Sequence, residues 1–357
     1  MRSRGAGHLV APAPTSVALP LRPPVPPMLA RLARELPIGP DIVYEPKWDG
    51  FRCVAFCAGD DIDLRSRNDR PLSRYFPEVV AALRTLPRPA VIDGELVIAD
   101  ATGADFATLM SRLHPAASRA ERLATEHPAS FIAFDLLSDG AQVLLDAPQR
   151  VRRNRLERLL ADAPQALSLT PATSAATTAA DWLRASPTSP IDGVVAKDAT
   201  APYEPGRRAL VKVKLERTAD CVVAGARPFR DEAVVGSLLL GLFDEGALVH
   251  VGVASSFTMA RRRELVEELA PLTVPLRDHP WRDGFALEGG PMGRLGGAAA
   301  RWSPDMPQDW VPLRLERVAE VSYTQLDGTR FRHPARFCRW RPDREPASCT
   351  VDQLLAA

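Results

Sequence analysis

The chain of 357 residues is 46% hydrophobic and 25% charged, a composition typical of a folded globular protein rather than of a disordered or fibrous one. Its length is sufficient for two domains that each bury a core. With 45 basic and 44 acidic residues, the net charge of +1 neither requires nor excludes a polyanionic partner, because binding depends on where the charges lie.

The N-terminal residues 1–27 are rich in proline and small residues, which predicts an extended, disordered lead-in, with the fold starting near Met28. They have a basic tip but no sustained apolar segment, so they do not resemble a signal peptide. Nowhere does the chain contain an apolar run of about 18 residues that could span a bilayer. We therefore expect a protein that is neither exported nor attached to a membrane.

Two apolar strands are predicted next, at residues 90–99 and 130–137, and each has a carboxylate embedded among β-forming residues. Embedded acids of this kind suggest a functional site. Residues 150–160 have the apolar spacing of a helix with a basic face, which is usually solvated, and we assign this face no specific role. Residues 161–190 are rich in Ala, Thr, Ser and Pro around a short element at Trp182-Leu183.

Further strands are predicted at residues 191–197 and 210–215. The second of these alternates apolar and basic residues, so Lys212 and Lys214 are expected on one face of the strand. A strand with a cationic face is suited to binding an anion.

After Glu216 the pattern changes to short β-like runs at 220–225, 236–243 and 247–253, followed by a helix at 259–269 and a glycine-rich loop at 289–297. Short strands with a single helix favour a small Greek-key barrel such as an OB-fold. Between residues 314 and 344 there are eight arginines against four acids, a local excess of positive charge. We expect one domain over residues 28–217, a second over 218–346 and a C-terminal tail over 347–357.

The five cysteines occur without a Cys-x-x-Cys pair, so neither a zinc site nor a disulfide framework is predicted, and a reducing cytoplasm is the expected compartment. Lysine is even scarcer than cysteine, with four residues against 41 arginines. Arginine stays protonated, whereas lysine can lose its proton and attack an electrophile or act as a compact charge on a phosphate. The lysines are Lys47, Lys197, Lys212 and Lys214.

Lys47 lies in the octet Glu45-Pro-Lys-Trp-Asp-Gly-Phe-Arg52. A lone lysine beside Asp-Gly is more often structural than catalytic, so its interpretation depends on the other segments. These follow in a fixed order: Ser66-Arg67-Asn68, Asp93-Gly94-Glu95, Phe134-Asp135, Asp192-Gly-Val-Val-Ala-Lys197, Lys212-Val-Lys214 and Arg339-Trp-Arg-Pro-Asp-Arg344.

Together these segments resemble the motif set of the ATP-dependent DNA ligases, within the covalent nucleotidyltransferase superfamily, over about residues 26–346. The run over 327–344 and the segment Pro27-Met-Leu-Ala30 look most like bacterial stand-alone ligase C and the ligase domain of ligase D. The resemblance implies an α+β fold: an adenylation (nucleotidyltransferase) domain of antiparallel sheets and helices, similar to ATP-grasp folds, followed by a C-terminal OB-fold β-barrel.

The resemblance also implies that Lys47 is the catalytic nucleophile, which takes AMP from ATP and passes it to the 5′-phosphate of a nick before the 3′-hydroxyl seals the strand in DNA repair. Two alternatives stay open at this point. One is an RNA ligase or a GTP-dependent capping enzyme, and the other is a degenerate scaffold that binds nucleic acid without chemistry.

Residue roles follow from the same resemblance. Around the nucleotide, it implies that Glu45 contacts the adenine amino group, Phe134 stacks on the base, Arg52 and Glu95 hold the ribose hydroxyls, Arg67 faces the ribose or the nick phosphate, Lys197 lies near the nucleotide, and Lys212 and Lys214 hold the α-phosphate. In the C-terminal motif, Arg341, Asp343 and Arg344 are expected to orient the leaving pyrophosphate.

The implied cofactors are ATP and Mg²⁺ or Mn²⁺, with Glu95 and Asp192 as the metal-binding carboxylates. Most relatives have Glu where Asp192 stands, and lysine is common where Arg344 stands. The implied partners are nicked duplex DNA and a separate repair polymerase. We expect a monomer in the cytoplasm that associates with the nucleoid when it acts on DNA.

Overall fold

The computed structural model describes residues 18–355 except 101–102, 105, 114–115, 185–188, 230–231 and 283–309. The glycine-rich loop predicted at 289–297 lies outside the described residues. A four-stranded and a six-stranded sheet lie in residues 18–216, termed here the N-terminal region, and another six-stranded sheet lies in residues 217–355, termed the C-terminal region.

The first sheet of the N-terminal region has four strands in the order β1-β12-β11-β2, in which only β1 and β12 run parallel. Its strands are Ala30–Ala33 (β1), Ile42–Trp48 (β2), Ile191–Asp198 (β11) and Leu210–Val213 (β12).

The second sheet follows the order β10-β8-β5-β3-β4, with β9 paired to β8, and a separate two-stranded ribbon joins β6 to β7. These strands are Phe51–Ala58 (β3), Asp61–Ser66 (β4), Ala90–Val97 (β5), Ala99–Asp100 (β6), Gly103–Ala104 (β7), Ser130–Asp139 (β8), Gln142–Val143 (β9) and Leu167–Leu169 (β10).

The alternation of side chains along the strands decides which residues line the space between these two sheets. In β3, Val54 and Phe56 share a core cluster with Leu210 and Val195 of the first sheet, whereas Cys53 faces the other way, into the larger core beneath the helices. Every second residue counted from Val54 on β3, and likewise from Val195 on β11, therefore faces the gap between the sheets.

Five helices accompany these sheets: Pro77–Leu83 (α1), Phe106–Ser111 (α2), Ala117–Glu126 (α3), Gln149–Leu159 (α4) and Ala176–Leu183 (α5). Helix α5 covers the outer face of the first sheet, where Tyr44, Val194 and Ala196 pack against Ala179. Helix α4 packs on β8 through Leu156, which is fully buried. Both sheets are thus covered on their outer faces, and polar side chains collect in the gap between them.

The expected lead-in ends earlier than predicted. Leu19, Leu21 and Val25 pack against the core cluster that contains Met28, because their apolar side chains are partly buried there rather than left in solvent. The part of the lead-in over residues 18–27 is therefore packed, which corrects the expected start of the fold near Met28. Residues 1–17 lie outside the described part of the chain.

The C-terminal region contains a six-stranded sheet in the order β14-β15-β20-β17-β13-β16, and β13 also pairs with β14. The β15–β20 pairing is parallel and consists of two residue pairs, Ala254 with Ala335 and Ser255 with Arg336, so no full-length seam joins these strands. A short hairpin, β18–β19, extends from the sheet. The strands are Arg217–Phe229 (β13), Glu232–Asp244 (β14), Ala247–Ser255 (β15), Val311–Pro312 (β16), Val318–Tyr323 (β17), Leu326–Asp327 (β18), Arg330–Phe331 (β19) and Ala335–Trp340 (β20).

The described part of this region includes the α-helices Met259–Leu269 (α6) and Asp352–Leu355 (α7). The segment predicted as a tail is packed rather than loose, because Cys349, Val351 and Leu354 are buried in the core of the C-terminal region. Gln353 also exchanges hydrogen bonds with the backbone of Asp220. Among the helices described, none is long and apolar enough to cross a membrane.

Candidate active site

Lys47 and Glu45 lie on the face of β2 that looks into the gap between the two sheets. Tyr44, at the alternate position, packs on the opposite face with α5. After Trp48 the chain turns at once into β3 of the second sheet, and Gly50 forms this turn against β5. A Cβ atom added at Gly50 would overlap the carbonyl oxygen of Leu96, so the crossing between the sheets requires glycine there.

Three lysines surround one carboxylate, that of Asp192. Lys47 Nζ donates to Asp192 Oδ2 at 2.8 Å, and Lys214 Nζ lies 2.5 Å from the same oxygen. Burial lowers the pKa of Lys214, and burial together with the charges of Lys47 and Lys214 lowers the pKa of Lys212. Since positive charge exceeds negative charge here, the cluster is suited to binding phosphate groups.

Beside this cluster, Lys197 joins Glu45 to Phe134. Lys197 Nζ lies 2.7 Å from Glu45 Oε2, donates to the carbonyl oxygen of Phe134 at 3.0 Å, and lies 5.2 Å from the centroid of the Phe134 ring. The side chains of Lys197 and Glu45 are 4% and 3% exposed. Burial raises the pKa of Glu45, and the ammonium of Lys197 opposes this effect. The Phe134 ring and these buried polar groups form a pocket wall suited to a planar base.

On the second sheet, Arg52 is held by the buried carboxylate of Asp93, to which the sequence motif assigned no role. Its Nε and Nη2 donate to the two carboxylate oxygens of Asp93, each at 2.6 Å, and its guanidinium carbon lies 4.3 Å from the centroid of the Phe134 ring. The Tyr203 hydroxyl also donates to Asp93, at 2.6 Å, and accepts a hydrogen bond from the backbone N–H of Met28 at 2.8 Å. This network fixes Arg52 next to Phe134.

Glu95 lies opposite Arg52 in the register of β5 and β3. Burial raises its pKa from an ordinary value of 4.5 to about 7, and the nearby cations Arg52 and Lys47 oppose the rise. A carboxyl group with a pKa near neutrality beside a lysine cluster is typical of a functional site.

The basic helix predicted without a role turns part of its charge inward. Arg152 is fully buried and pairs with Asp135, with Nε 2.7 Å from Oδ1 and Nη2 3.0 Å from Oδ2. Arg153 lies beside Glu45, with its Nη1 atom 3.7 Å from Glu45 Oε1. The assumption that this face is merely solvated was therefore wrong, because α4 packs against β8, buries Arg152 and partly buries Arg153.

Four of the predicted site residues are not brought to this gap: Arg67, Arg341, Asp343 and Arg344. Arg67 is exposed on the turn after β4. Arg341 binds carboxylates of its own region, with Nη1 3.0 Å from both oxygens of Asp220 and Nη2 2.8 Å from Asp343. Arg344 Nε lies 3.2 Å from Asp220. No described contact joins this C-terminal motif to the lysine cluster.

A different part of the C-terminal region reaches the site. Arg332 and Gln325, which flank the β18–β19 hairpin, both contact the carboxylate of Asp49. The neighbouring His333 is close enough that Arg332 and then Lys214 help to lower its pKa, although burial contributes most. The arginine excess over 314–344 includes Arg332, but no local pattern in this segment indicates which of its residues contacts Asp49.

Metal binding by the predicted pair Glu95 and Asp192 is consistent with one observation. Asp192 Oδ1 is buried and has no hydrogen-bond partner among the described residues, so it is free to serve as an oxygen ligand. Within the described ranges, no group of three or more His, Cys, Asp or Glu side chains is arranged around a common point. Mg²⁺ typically takes one or two carboxylates together with substrate phosphates, so two protein ligands are sufficient.

Comparisons with known families match nearly the whole chain. A model described as ATP dependent DNA ligase domain matches residues 27–214, and one described as ATP dependent DNA ligase C terminal region matches residues 231–344. The chain is 48% identical over 343 residues to DNA ligase C of Mycobacterium tuberculosis. This alignment covers 94% of this chain and 95% of that protein. The chain is also 48% identical over 340 residues to DNA ligase C2 of Mycolicibacterium smegmatis, covering 94% and 96%.

A solved structure described as a minimal DNA-binding scaffold of Lig E DNA ligases has a similar fold. The match has a TM-score of 0.53 at 19% identity and covers 88% of this chain and 99% of that one.

Proposed function

The chain belongs to the family of ATP-dependent DNA ligases, and we propose that it seals nicks in duplex DNA during repair with Lys47 as its nucleophile. The observation that carries this assignment is the geometry at Asp192. Lys47 Nζ lies 2.8 Å from Asp192 Oδ2, beside the phosphate-binding cations Lys212 and Lys214. The α+β fold is that of a ligase nucleotidyltransferase domain followed by a ligase C-terminal region.

In the first step, the neutral amine of Lys47 attacks the α-phosphorus of ATP, the bond from that phosphorus to the bridging oxygen breaks, and pyrophosphate leaves. An oxygen of the 5′-phosphate at the nick then attacks the AMP phosphorus and displaces Lys47. Finally the 3′-hydroxyl attacks the phosphorus of the 5′-phosphate and releases AMP. Each step is an in-line displacement that depends on positioning and on neutralising phosphate charge, which Lys212 and Lys214 supply.

The nucleotide lies between the two sheets of the N-terminal region. Glu45 contacts the adenine amino group and Phe134 stacks on the base, while Lys197 fixes both through its bonds to Glu45 and to the Phe134 carbonyl. Arg52 and Glu95 hold the ribose, and the pairing of Arg52 with buried Asp93 supports this by fixing the guanidinium.

Arg67, which is exposed on the turn after β4, meets the ribose or the 5′-phosphate of the nick. Asp192, whose Oδ1 has no hydrogen-bond partner among the described residues, and Glu95 would hold Mg²⁺ or Mn²⁺. When bound, the ion supplies further neutralisation of phosphate charge.

The C-terminal region takes two orientations during the reaction. In one, Arg341, Asp343 and Arg344 orient the leaving pyrophosphate. In the other, Arg341 and Arg344 pair with Asp220 and Arg341 also pairs with Asp343, while the residues that flank the β18–β19 hairpin contact Asp49, as in the arrangement described above.

We assign the adenylation domain to residues 28–217, with residues 18–27 packed against it, and the second domain to residues 218–346, with residues 349–354 packed into its core. We infer that the second domain is an OB-fold. Five strands support this inference, because β13 pairs with β14 and β17, β15 pairs with β14 and β20, and β20 pairs with β17. This order, with one parallel pair, is compatible with a five-stranded Greek-key barrel.

The substrate is nicked duplex DNA. The protein works as a monomer in the cytoplasm, at the nucleoid, and receives its nicks from a separate repair polymerase.

The test is self-adenylation followed by sealing. Wild type and Lys47→Ala are incubated with α-labelled ATP or GTP, resolved on a denaturing gel, and then assayed on a nicked duplex. Label from ATP on wild type alone, followed by sealing of DNA, supports the proposal. Absence of label on wild type would overturn it, and label from GTP or sealing restricted to RNA would favour a capping enzyme or an RNA ligase.

A further inference from the structure

Two buried polar atoms lie next to each other at the base end of the site and lack hydrogen-bond partners. Glu45 Oε1 and Arg153 Nη1 are 3.7 Å apart, and neither forms a hydrogen bond with any described residue. The two side chains are 3% and 12% exposed. An unsatisfied buried acceptor beside an unsatisfied buried donor is costly unless a ligand completes both.

The remaining polar atoms of these side chains are already occupied. Glu45 Oε2 is held by Lys197 at 2.7 Å. Arg153 Nε donates to Glu157 at 2.8 Å, and its Nη2 donates to the carbonyl oxygen of Thr170 at 2.8 Å. Both side chains are therefore fixed, and each presents one free atom on the same side of the pocket.

Lys197 is less suited than Arg153 to donate a hydrogen bond to a ligand here. Two of its donors already bind Glu45 and the carbonyl oxygen of Phe134. Arg153 comes from α4, which packs on the same strand, β8, that carries Phe134. Its free N–H is therefore placed at the rim of the base-stacking surface.

Resting on the proposed function, we infer that Arg153 determines base specificity by donating from Nη1 to N1 of adenine while Glu45 Oε1 accepts from the adenine amino group. Adenine presents a donor and an acceptor side by side on this edge, which matches the acceptor and the donor of the protein. Guanine presents the reverse, with an oxygen facing Glu45 and an N–H facing the arginine. A site built for hydrogen bonds discriminates strongly against a ligand that leaves them unpaired.

The experiment compares ATP with 1-deaza-ATP, which lacks the N1 acceptor and keeps the amino group. Self-adenylation is followed by the mass of the protein over a range of nucleotide concentrations, for wild type, Arg153→Gln and Arg153→Lys. The matched control is Arg155→Gln on the same helix, since Arg155 bonds Gln142 instead of the site. Thermal unfolding of each variant checks that it is folded.

For wild type and the control, replacing ATP with 1-deaza-ATP should lower kcat/KM for adenylation by about tenfold to a hundredfold, the loss of one hydrogen bond to a charged donor. For Arg153→Gln the two nucleotides should react alike, and the preference for ATP over GTP should narrow.

An equal response of wild type to ATP and 1-deaza-ATP overturns the inference, whether or not the variants fold. So does an Arg153→Gln variant that loses activity with both nucleotides by the same factor, which would mean that Arg153 only supports the structure. A wild-type protein that forms no adenylate with any nucleotide would instead contradict the proposed function itself.

Discussion

Arg332 of the C-terminal region contacts the carboxylate of Asp49, which follows Lys47 by two residues. The guanidinium carbon of Arg332 lies 3.5 Å from the centroid of the Phe106 ring, and each side chain of the ion pair is only 9% exposed. A charge pair sheltered in this way is little weakened by solvent. The contact therefore couples the orientation of the C-terminal region to the position of the nucleophile.

Arg332→Ala should slow nick sealing by about a hundredfold while reducing self-adenylation much less, because the contact belongs to the orientation in which the C-terminal motif is turned away from ATP. Single-turnover assays of the two steps measure the difference. Arg336→Ala is the control, since Arg336 belongs to the same region as Arg332 but forms an exposed pair with Glu216, at the end of the N-terminal region. A loss confined to self-adenylation would contradict this assignment.

Arg341→Ala should have the opposite profile. If Arg341 leaves Asp220 to orient pyrophosphate, its removal should depress self-adenylation by about a hundredfold and affect the sealing of pre-adenylated nicks less. Arg339→Ala, which removes an exposed partner of Glu320, provides the comparison. Equal losses in both assays would count against two orientations.

Glu95 should make stability depend on pH in a direction unusual for a carboxylate. Its pKa is about 7 in the folded protein and near 4.5 when exposed, so between these values the folded state binds more protons than the unfolded state. The free energy of unfolding should therefore fall as pH rises through this window, by at most about 3 kcal/mol relative to Glu95→Gln, which cannot ionise.

Denaturant unfolding of wild type and Glu95→Gln at pH 5 and pH 8 measures this difference. Glu267→Gln, at an exposed position on α6, controls for the loss of one carboxylate elsewhere. A wild type that gains stability over Glu95→Gln as pH rises would show that the Glu95 pKa is not raised.

Gly50→Ala should destabilise the protein by about 2–3 kcal/mol and abolish self-adenylation, because the new methyl group meets the rigid backbone of Leu96 and displaces the turn after Lys47. Gly39→Ala is the matched control, since its added carbon meets only the flexible Ile42 side chain at 3.3 Å. Thermal unfolding and α-labelled ATP report the two effects. Full activity of Gly50→Ala would show that the turn tolerates displacement.

The strands that carry the motifs were predictable because their apolar alternation is strong. The strand predicted at 191–197 is confirmed as Ile191–Asp198, and the helix predicted at 259–269 is confirmed as Met259–Leu269. The strand predicted at 210–215 stops at Val213, so Lys214 lies just beyond its end. The element around Trp182 is the last turn of a longer helix, Ala176–Leu183.

What could not be predicted depends on contacts between distant segments. Arg152 and Arg158 are both arginines of one helix, yet only Arg152 is buried, because β8 supplies Asp135 beneath it. Similarly, nothing in the local pattern around Arg332 or Arg341 indicates which of the two contacts Asp49, two residues after Lys47. That choice depends on how the C-terminal region is rotated as a body.

Only residues 214–216 separate β12 from β13. Lys214, which contacts Asp192, is therefore also the first residue of the segment that links the two regions. Any rotation of the C-terminal region must begin with backbone torsions in this tripeptide. A phosphate bound to Lys214 would restrict the backbone torsions of residues 214–216, and release of the phosphate would remove this restriction. If Lys214 binds the α-phosphate as proposed, the progress of the chemistry and the freedom of the C-terminal region to reorient would be linked through this one side chain.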